Sequence, residues 1–499
     1  MTTHATRMMD ASHLTRLHWK VWFLSAMGIF LDGFDLFIIG VALPLIAEQF
    51  PTTPQTLGLI GAAAPLGCII GASVFGRFTD HLGRKMMLLI DLLFFVVFAG
   101  LSAFAWDTTS LIVFRFLLGI GIGADYPVSS TYITENMPSR LRGRMLVSGF
   151  GFQAFGLLAG AILGIIILKF HPEVNAWRYI LGFAVIPAII ILLFRLGLPE
   201  SPRWLINKGR HEEAAAVASK MTGKKINIDA IKISSNSRFR DLFSRRYIGR
   251  TALTALSWFL MDVALYGVGL FTPIIMATLA FHNDHNFVHE ALSAIYKSAF
   301  TQIFLVVGVI ICILLVDRIG RIKLQTWGFL GMALGMFILA ASSLGHSHES
   351  QMLIAFAGFI VFFLMTNAGP NPTTFLLPAE LFPTHLRATG HGFASASGKV
   401  GAAVGIFCLP VLNAHVGLSV TMCIMGSVCL LGFILTKILG LETKGKSLDE
   451  IHRIEKEMNS AEVSLLYVQE DIQRLSTDLK RVEGALHSAL KEIKRFKPK

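Results

Sequence analysis

The feature that most constrains this 499-residue chain is a series of long apolar runs broken by short polar connections. Bilayer hydrocarbon is about 30 Å thick, so a spanning helix needs about 20 mostly apolar residues. Twelve windows qualify, at approximately 19–47, 57–79, 86–105, 109–135, 145–168, 177–197, 250–280, 295–316, 324–344, 351–377, 390–412 and 418–440. The runs predict an all-α membrane protein of twelve transmembrane helices. Only 15% of residues are charged, less than a soluble chain of this length carries. The first run is too long for a cleaved signal peptide and is followed by many others, so it is expected to be retained.

The formal net charge is +12, and its placement argues against a nucleic-acid partner. Lys and Arg concentrate in the connections after even-numbered spans: Arg77, Arg84 and Lys85; Arg140, Arg142 and Arg144; the stretch 203–250; Arg318, Arg321 and Lys323; and Arg387. The opposite connections, 48–56, 106–109, 281–294, 345–350 and 413–417, contain neither residue. This is the positive-inside pattern, which predicts a protein of the cell (inner or plasma) membrane with both termini cytoplasmic. The five cysteines all lie in apolar spans and are expected to be buried free thiols.

Two connections repeat. Asp80, Gly83 and Arg84, in GRFTDHLGRK beginning at Gly76, recur 237 positions later as Asp317, Gly320 and Arg321. Glu135, Pro138 and Arg142 recur 245 positions later as Glu380, Pro383 and Arg387. Two matches at nearly one offset imply a duplicated six-helix unit. The expected organisation is a cytoplasmic N-terminus at 1–18, a first half at 19–197, a linker at 198–249, a second half at 250–444 and a tail at 445–499. Two halves can rock about a midplane site, with acid–arginine networks in these loops closing one side. Topology signalling alone would explain the arginines but not the repeated glycine and acids.

Ionisable side chains inside a bilayer are costly and mark function by default. The spans hold Asp32, Asp35, Asp91, Asp125 and Asp262 against Arg115 and Lys399. Buried carboxylates can carry protons, and the two bases can neutralise an anion or pair with the acids. Together they suggest proton-coupled transport. Asp32 and Asp35 are spaced i, i+3 on one helix face, and one of them could instead cap a polar cluster. Asp91 is either a coupling acid or a structural partner of Arg115. Asp125 precedes Tyr126-Pro127, where proline disrupts the backbone ladder and would open a cavity. Asp262 has Trp258 and Tyr266 at i−4 and i+4, presenting an indole, an acid and a phenol on one face.

The two-fold loop pattern resembles the major facilitator superfamily. PESPRWL (199–205) and LETKGKSLDE (441–450) are similar to markers of its sugar-porter-like branch. GADYPVSSTYITE (123–135), WFLMDVALY (258–266) and NAGPNPTTFLLPAELFPTHLRATGHGFASASGKVGA (367–402) closely resemble the phosphate:proton symporters of plants and fungi. By motif position the resemblance implies phosphate ligands at Tyr126, Gln153, Trp258, Asp262, Tyr266 and Asn371. It also implies proton-linked acids at Asp32 or Asp35, Asp91 and Asp125, with Arg115 and Lys399 as basic partners. GADYP replaces the GGDYP of many phosphate permeases, and PESPR belongs to the sugar porters. A sugar, polyol or organic anion is therefore the alternative cargo. No phosphate-cradling loop, metal cluster or nucleophile motif occurs in the soluble segments, so neither an enzyme nor a cofactor is expected.

Beyond Gly445, apolar residues fall in an unbroken 3-4 spacing from Ile451 to Phe496. That periodicity predicts a cytoplasmic coiled-coil helix serving self-association or a more basic helical partner. Acidic flanking positions such as Glu457 and Glu462 oppose a parallel homodimer.

Overall fold

The structure, a computed structural model, describes residues 9, 11–50, 53–226, 239–279, 287–345, 347–383 and 385–446. The described residues fall in one compact unit that ends at Lys446. The expected coiled coil at 451–496 lies outside the described residues.

Twelve helices among the described residues are long and apolar enough to cross a membrane. They are α1 (Arg16–Leu43), α2 (Gly58–Leu82), α3 (Arg84–Ala103), α4 (Thr108–Asn136), α5 (Arg142–Phe170), α6 (Ala176–Arg195), α7 (Ile248–Gly269), α8 (Phe300–Ile319), α9 (Arg321–Leu344), α10 (Glu349–Leu381), α11 (Arg387–Asn413) and α12 (His415–Leu439). Within the first half α1 packs on α5, α2 on α4, and α3 on α4 and α6. The second half repeats the scheme: α7 on α11, α8 on α10, and α9 on α10 and α12. The halves meet where α5 packs on α8 and where α2 packs on α11. The duplication read from two loops thus extends to the helix pairings.

Local chemistry sets several helix limits. Asp107 caps α4, accepting from the Ser110 amide at 2.7 Å. Gly83 and Gly320 precede α3 and α9 with φ of 106° and 108°, a backbone region that side chains other than glycine rarely adopt. Their recurrence in the sequence therefore has a conformational cause. Other features depart from a simple reading of the spans. α2 loosens into a π turn at Gly71–Phe75. α10 breaks at Gly369, between helices His348–Ala368 and Pro370–Leu381, where Pro370 and Pro372 supply no amide donors. Pro127, expected to disrupt the backbone ladder beside a cavity, lies within an uninterrupted Thr108–Asn136 helix, and Asp125 lines a small cavity. The stretch 198–249 contains helices Pro202–Asn207 and His211–Thr222 rather than only polar linker. All five thiols are free, but Cys408 and Cys423 are exposed on the bundle surface and only Cys68, Cys312 and Cys429 are buried.

At the α2–α11 crossing the backbones nearly touch. A Cβ at Gly76 would sit 2.7 Å from the Ala388 carbonyl oxygen, and one at Gly392 would collide with the Ala72 carbonyl and lie 3.2 Å from the Gly76 Cα. Backbone cannot yield as a flexible side chain can, so Gly392→Leu should wedge the halves apart at this end. A cysteine at buried Ser395, in a background without Cys408 and Cys423, should then react faster with a membrane-impermeant thiol reagent. An unchanged reaction rate would show that this crossing does not control closure.

Candidate functional site

The polar centre of the bundle is assembled from both halves. α7 supplies Trp258, Asp262 and Tyr266 at helical spacing, and α11 brings Lys399 opposite them. The Lys399 ammonium donates to Asp262 Oδ2 at 3.3 Å and to Tyr266 Oη at 2.8 Å. It also lies 4.5 Å from the Tyr266 ring centre and 5.0 Å from that of Tyr126, which belongs to α4 of the other half. Cation–π attraction strengthens when such a pair is withdrawn from water. Gln153 of α5 donates from Nε2 to Tyr126 Oη at 2.7 Å. Asn371 of α10 donates to Asn367 Oδ1 at 2.7 Å, and Asn367 donates to the Leu305 carbonyl of α8.

An aromatic group continues this centre. Tyr126, Trp258 and Phe375 meet edge to face at 6.2–6.3 Å, and Phe150 of the first half lies 4.7 Å from Phe375. His391 stands edge-on to Trp258 and Phe375, its Nε2 2.9 Å from the Phe375 carbonyl.

The structure thus brings Tyr126, Gln153, Trp258, Asp262 and Tyr266 together, with Lys399 in their midst and Asn371 on the adjacent helix. The hydroxyls have a defined polarity. Each phenol oxygen already accepts from a protein donor, Gln153 for Tyr126 and Lys399 for Tyr266. Each O–H proton is therefore left to donate elsewhere.

A second polar cluster lies wholly within the first half. Asp32 of α1, Asp91 of α3, Asp125 of α4 and Arg195 of α6 line one small cavity beside Gly28. Arg195 donates to Asp91 Oδ1 at 3.3 Å and Asp125 Oδ1 at 3.2 Å. It also donates to the Leu88 and Leu24 carbonyls at 2.9 and 3.1 Å. Ser129 donates to Asp125 Oδ1 at 3.0 Å. One oxygen of each carboxylate, Oδ2 in all three, is buried without a hydrogen-bond partner.

Asp35 does not join this cluster. It is clasped by Arg115 in a two-pronged bridge of 2.6 and 2.8 Å. This corrects the reading of Asp91 as a partner of Arg115: Asp91 pairs with Arg195 instead. It also separates Asp32 from Asp35, which share a helix face but not a partner. The sequence reading missed Arg195. At the last turn of an apolar run it looks like a positive-inside flank, but it is 1% exposed.

The repeated loop residues build two matching networks at the end of the bundle that carries the basic connections. Arg84 holds Glu135 in a two-pronged bridge along one guanidinium edge, from Nε and Nη2 at 3.0 and 2.9 Å, and Asp80 at 3.1 Å. Arg321 holds Glu380 at the same distances, and Asp317 at 3.0 Å. Glu200 accepts from the first amides of α3, and Glu442 from those of α9, where the helix dipole favours an anion. Burial pushes the Glu200 carboxyl above the ordinary glutamate range, against the opposing pull of these amides and Arg84.

The networks also cross between halves. Asp80 Oδ2 accepts from the Thr389 amide at 2.9 Å and its hydroxyl at 2.7 Å. Asp317 Oδ2 accepts from the Arg144 amide at 3.2 Å. Arg387 reaches Glu135 at 3.1 Å. Thr389 and Arg144 are themselves related by the 245-residue offset, so the two aspartate contacts form a reciprocal pair. Arg142 lies buried in the same region, donating to the Thr134 and Met137 carbonyls. Gly76 sits at the crossing described above.

A family model described as "Sugar (and other) transporter" matches residues 21–454. The chain is 32% identical to the inner membrane metabolite transport protein YgcS of Escherichia coli, over 89% of this chain and 96% of that protein. It is equally identical, 32%, to the probable inorganic phosphate transporter 1-12 of Oryza sativa, over 89% of this chain and 93% of that one. Its fold is similar to that of the major facilitator superfamily proton:xylose symporter XylE bound to 6-bromo-6-deoxy-D-glucose. That likeness has a TM-score of 0.78 at 22% identity and covers 89% of this chain and 100% of the other.

Proposed function

The chain belongs to the sugar (and other) transporter family, a family of transporters rather than enzymes, and from that premise we propose that it imports inorganic phosphate together with protons by alternating access. The observation that carries this reading is the pair of phenols beside a buried ammonium. Tyr126 and Tyr266 have their oxygens occupied by Gln153 and Lys399, so both present O–H donors. With Lys399 they form a donor-rich centre, suited to a ligand whose surface is mostly acceptor oxygens. The similarity to a probable inorganic phosphate transporter supports the same cargo.

Asp262 faces the same centre and is balanced by Lys399. An incoming anion shares that ammonium with Asp262, so binding is favoured when Asp262 carries a proton or accepts one from the ligand. Asp32, Asp91 and Asp125 are the coupling acids in this reading, with Asp35 held apart from them by Arg115. The reciprocal networks hold the halves together at the basic end, taken as cytoplasmic. The structure then stands for a state closed on the inside.

The test is uptake of labelled phosphate into proteoliposomes under an imposed inward proton gradient. The expected result is accumulation that collapses when a protonophore dissipates the gradient. No phosphate uptake, with a sugar or carboxylate accumulating instead, would assign the scaffold to that other cargo.

A further inference from the structure

We propose that Arg195 is the fixed counter-charge that allows the Asp32–Asp91–Asp125 cluster to release protons, a positioning residue for coupling rather than for cargo binding. This rests on the reading of those three acids as the coupling site.

The geometry pins the guanidinium. Its Nε is held by the Leu24 carbonyl of α1 and its Nη1 by the Leu88 carbonyl of α3. From that seat it spans Asp91 and Asp125. There is little free space around it: a Cβ at Gly28 would collide with Arg195 Nη2 and lie 2.6–2.7 Å from the Asp125 carboxylate oxygens. Asp32, Asp91, Asp125 and Arg195 are each at most 4% exposed. The groups facing the guanidinium are those three carboxyls, the two carbonyls and, through Asp125, the Ser129 hydroxyl.

Charge balance gives this arrangement its consequence. Arg115 is taken by Asp35 and Lys399 by Asp262. Among the described residues, Arg195 is the cation ion-paired with the cluster. An uncompensated buried carboxylate is strongly unfavourable. With Arg195 in place, one carboxyl can ionise and stay buried. Without it, the cluster loses the cation paired with Asp91 and Asp125, a buried negative charge there goes uncompensated, and proton delivery is impaired more than proton uptake.

The second half indicates that the fold does not require this feature. The helix-end acids Glu200 and Glu442 relate α6 to α12, and by that register Arg195 corresponds to Lys437. Lys437 is exposed, with its ammonium 5.9 Å from the Phe433 ring centre. By the loop offsets, Asp91 and Asp125 correspond to Gly328 and Pro370. A six-helix half therefore assembles without the cluster or its arginine.

Two transport modes separate the roles. Exchange of labelled for unlabelled phosphate needs loading and rocking but no net proton delivery; accumulation needs both. In proteoliposomes, Arg195→Gln should lower gradient-driven accumulation more than about tenfold while exchange falls less than about threefold, and Arg195→Lys should recover accumulation. Equal losses in both modes, or full accumulation by the Gln variant, would overturn the proposal. If Arg195→Gln does not fold, Arg195→Gln combined with Asp91→Asn removes one acid along with the base. Recovery of folded protein supports the counter-charge, and continued misfolding assigns Arg195 to tethering alone. Wild-type protein that exchanges phosphate but ignores the proton gradient would instead refute the coupling reading on which the proposal stands.

Discussion

Lys399→Met should reduce phosphate accumulation by about 100-fold or more, through loss of a buried ion pair worth about 3–5 kcal/mol when one partner is removed. Methionine fills the space of the lysine stem but carries no charge and no donor. Asp262 Oδ2 loses the ammonium at 3.3 Å, and the Tyr266 phenol loses its donor at 2.8 Å. Buried Asp262 then retains a proton, and Tyr266 is free to turn its hydroxyl inward. The Tyr126 face loses its cation as well, which weakens the link between the two halves across the site. Uptake assays on Lys399→Met, Asp262→Asn and the double variant form a thermodynamic cycle. The two single losses should be strongly non-additive, because each leaves the other charge stranded. Additive losses, or accumulation by Lys399→Met within about threefold of wild type, would remove Lys399 from the site.

The second large effect concerns the basic end of the bundle. Asp80→Asn with Asp317→Asn should shift the resting population from closed to open at that end. Hydrogen bonds to a charged group are worth about 1.5–3 kcal/mol each, so losing the charge on both aspartates amounts to about 3 kcal/mol or more. That corresponds to a change of about 100-fold in the ratio of the two states. Asparagine keeps the shape and one acceptor, which confines the change to charge. The double substitution weakens the hydrogen bonds to Thr389 and Arg144, one into each opposite half, and breaks the ion pairs with Arg84 and Arg321 within each half. Spin labels at exposed Arg77 and Lys323, on opposite halves, would report the opening. A longer-distance population should become the majority. Unchanged distances in the double variant would transfer closure to Glu135 and Arg387.

Some of the candidate site could be read before any coordinates. Trp258, Asp262 and Tyr266 stand one helical turn apart, so their shared face follows from helix geometry. The motif resemblance named Tyr126, Gln153 and Asn371, and the structure gathers Tyr126 and Gln153 around Lys399. Lys399 was legible as a buried base but not as the bridge between Asp262 and two phenols. His391 and Asn367 carried no recognisable signal, since a polar residue in an apolar helix does not announce its neighbours. Arg195 was hidden by position, because the last turn of a span is where a topology-setting arginine is expected. Only its inward seat, against the exposed Lys437 of the other half, distinguishes the two cases.

The chain by itself determined twelve spans, their duplication, the side that carries the basic loops and the small set of charges inside the bilayer. Each of these can be read along the chain: an apolar run long enough to span hydrocarbon, a charge in a connection, motifs repeated at nearly one offset. Tertiary structure alone decided the partners. Asp35 meets an arginine 80 residues away, Asp91 one 104 away, and Lys399 finds its acid at a separation of 137. Which acid faces which base depends on how helices cross, and in a low-dielectric interior the pairing decides whether a carboxyl is a structural anion or a site for a proton.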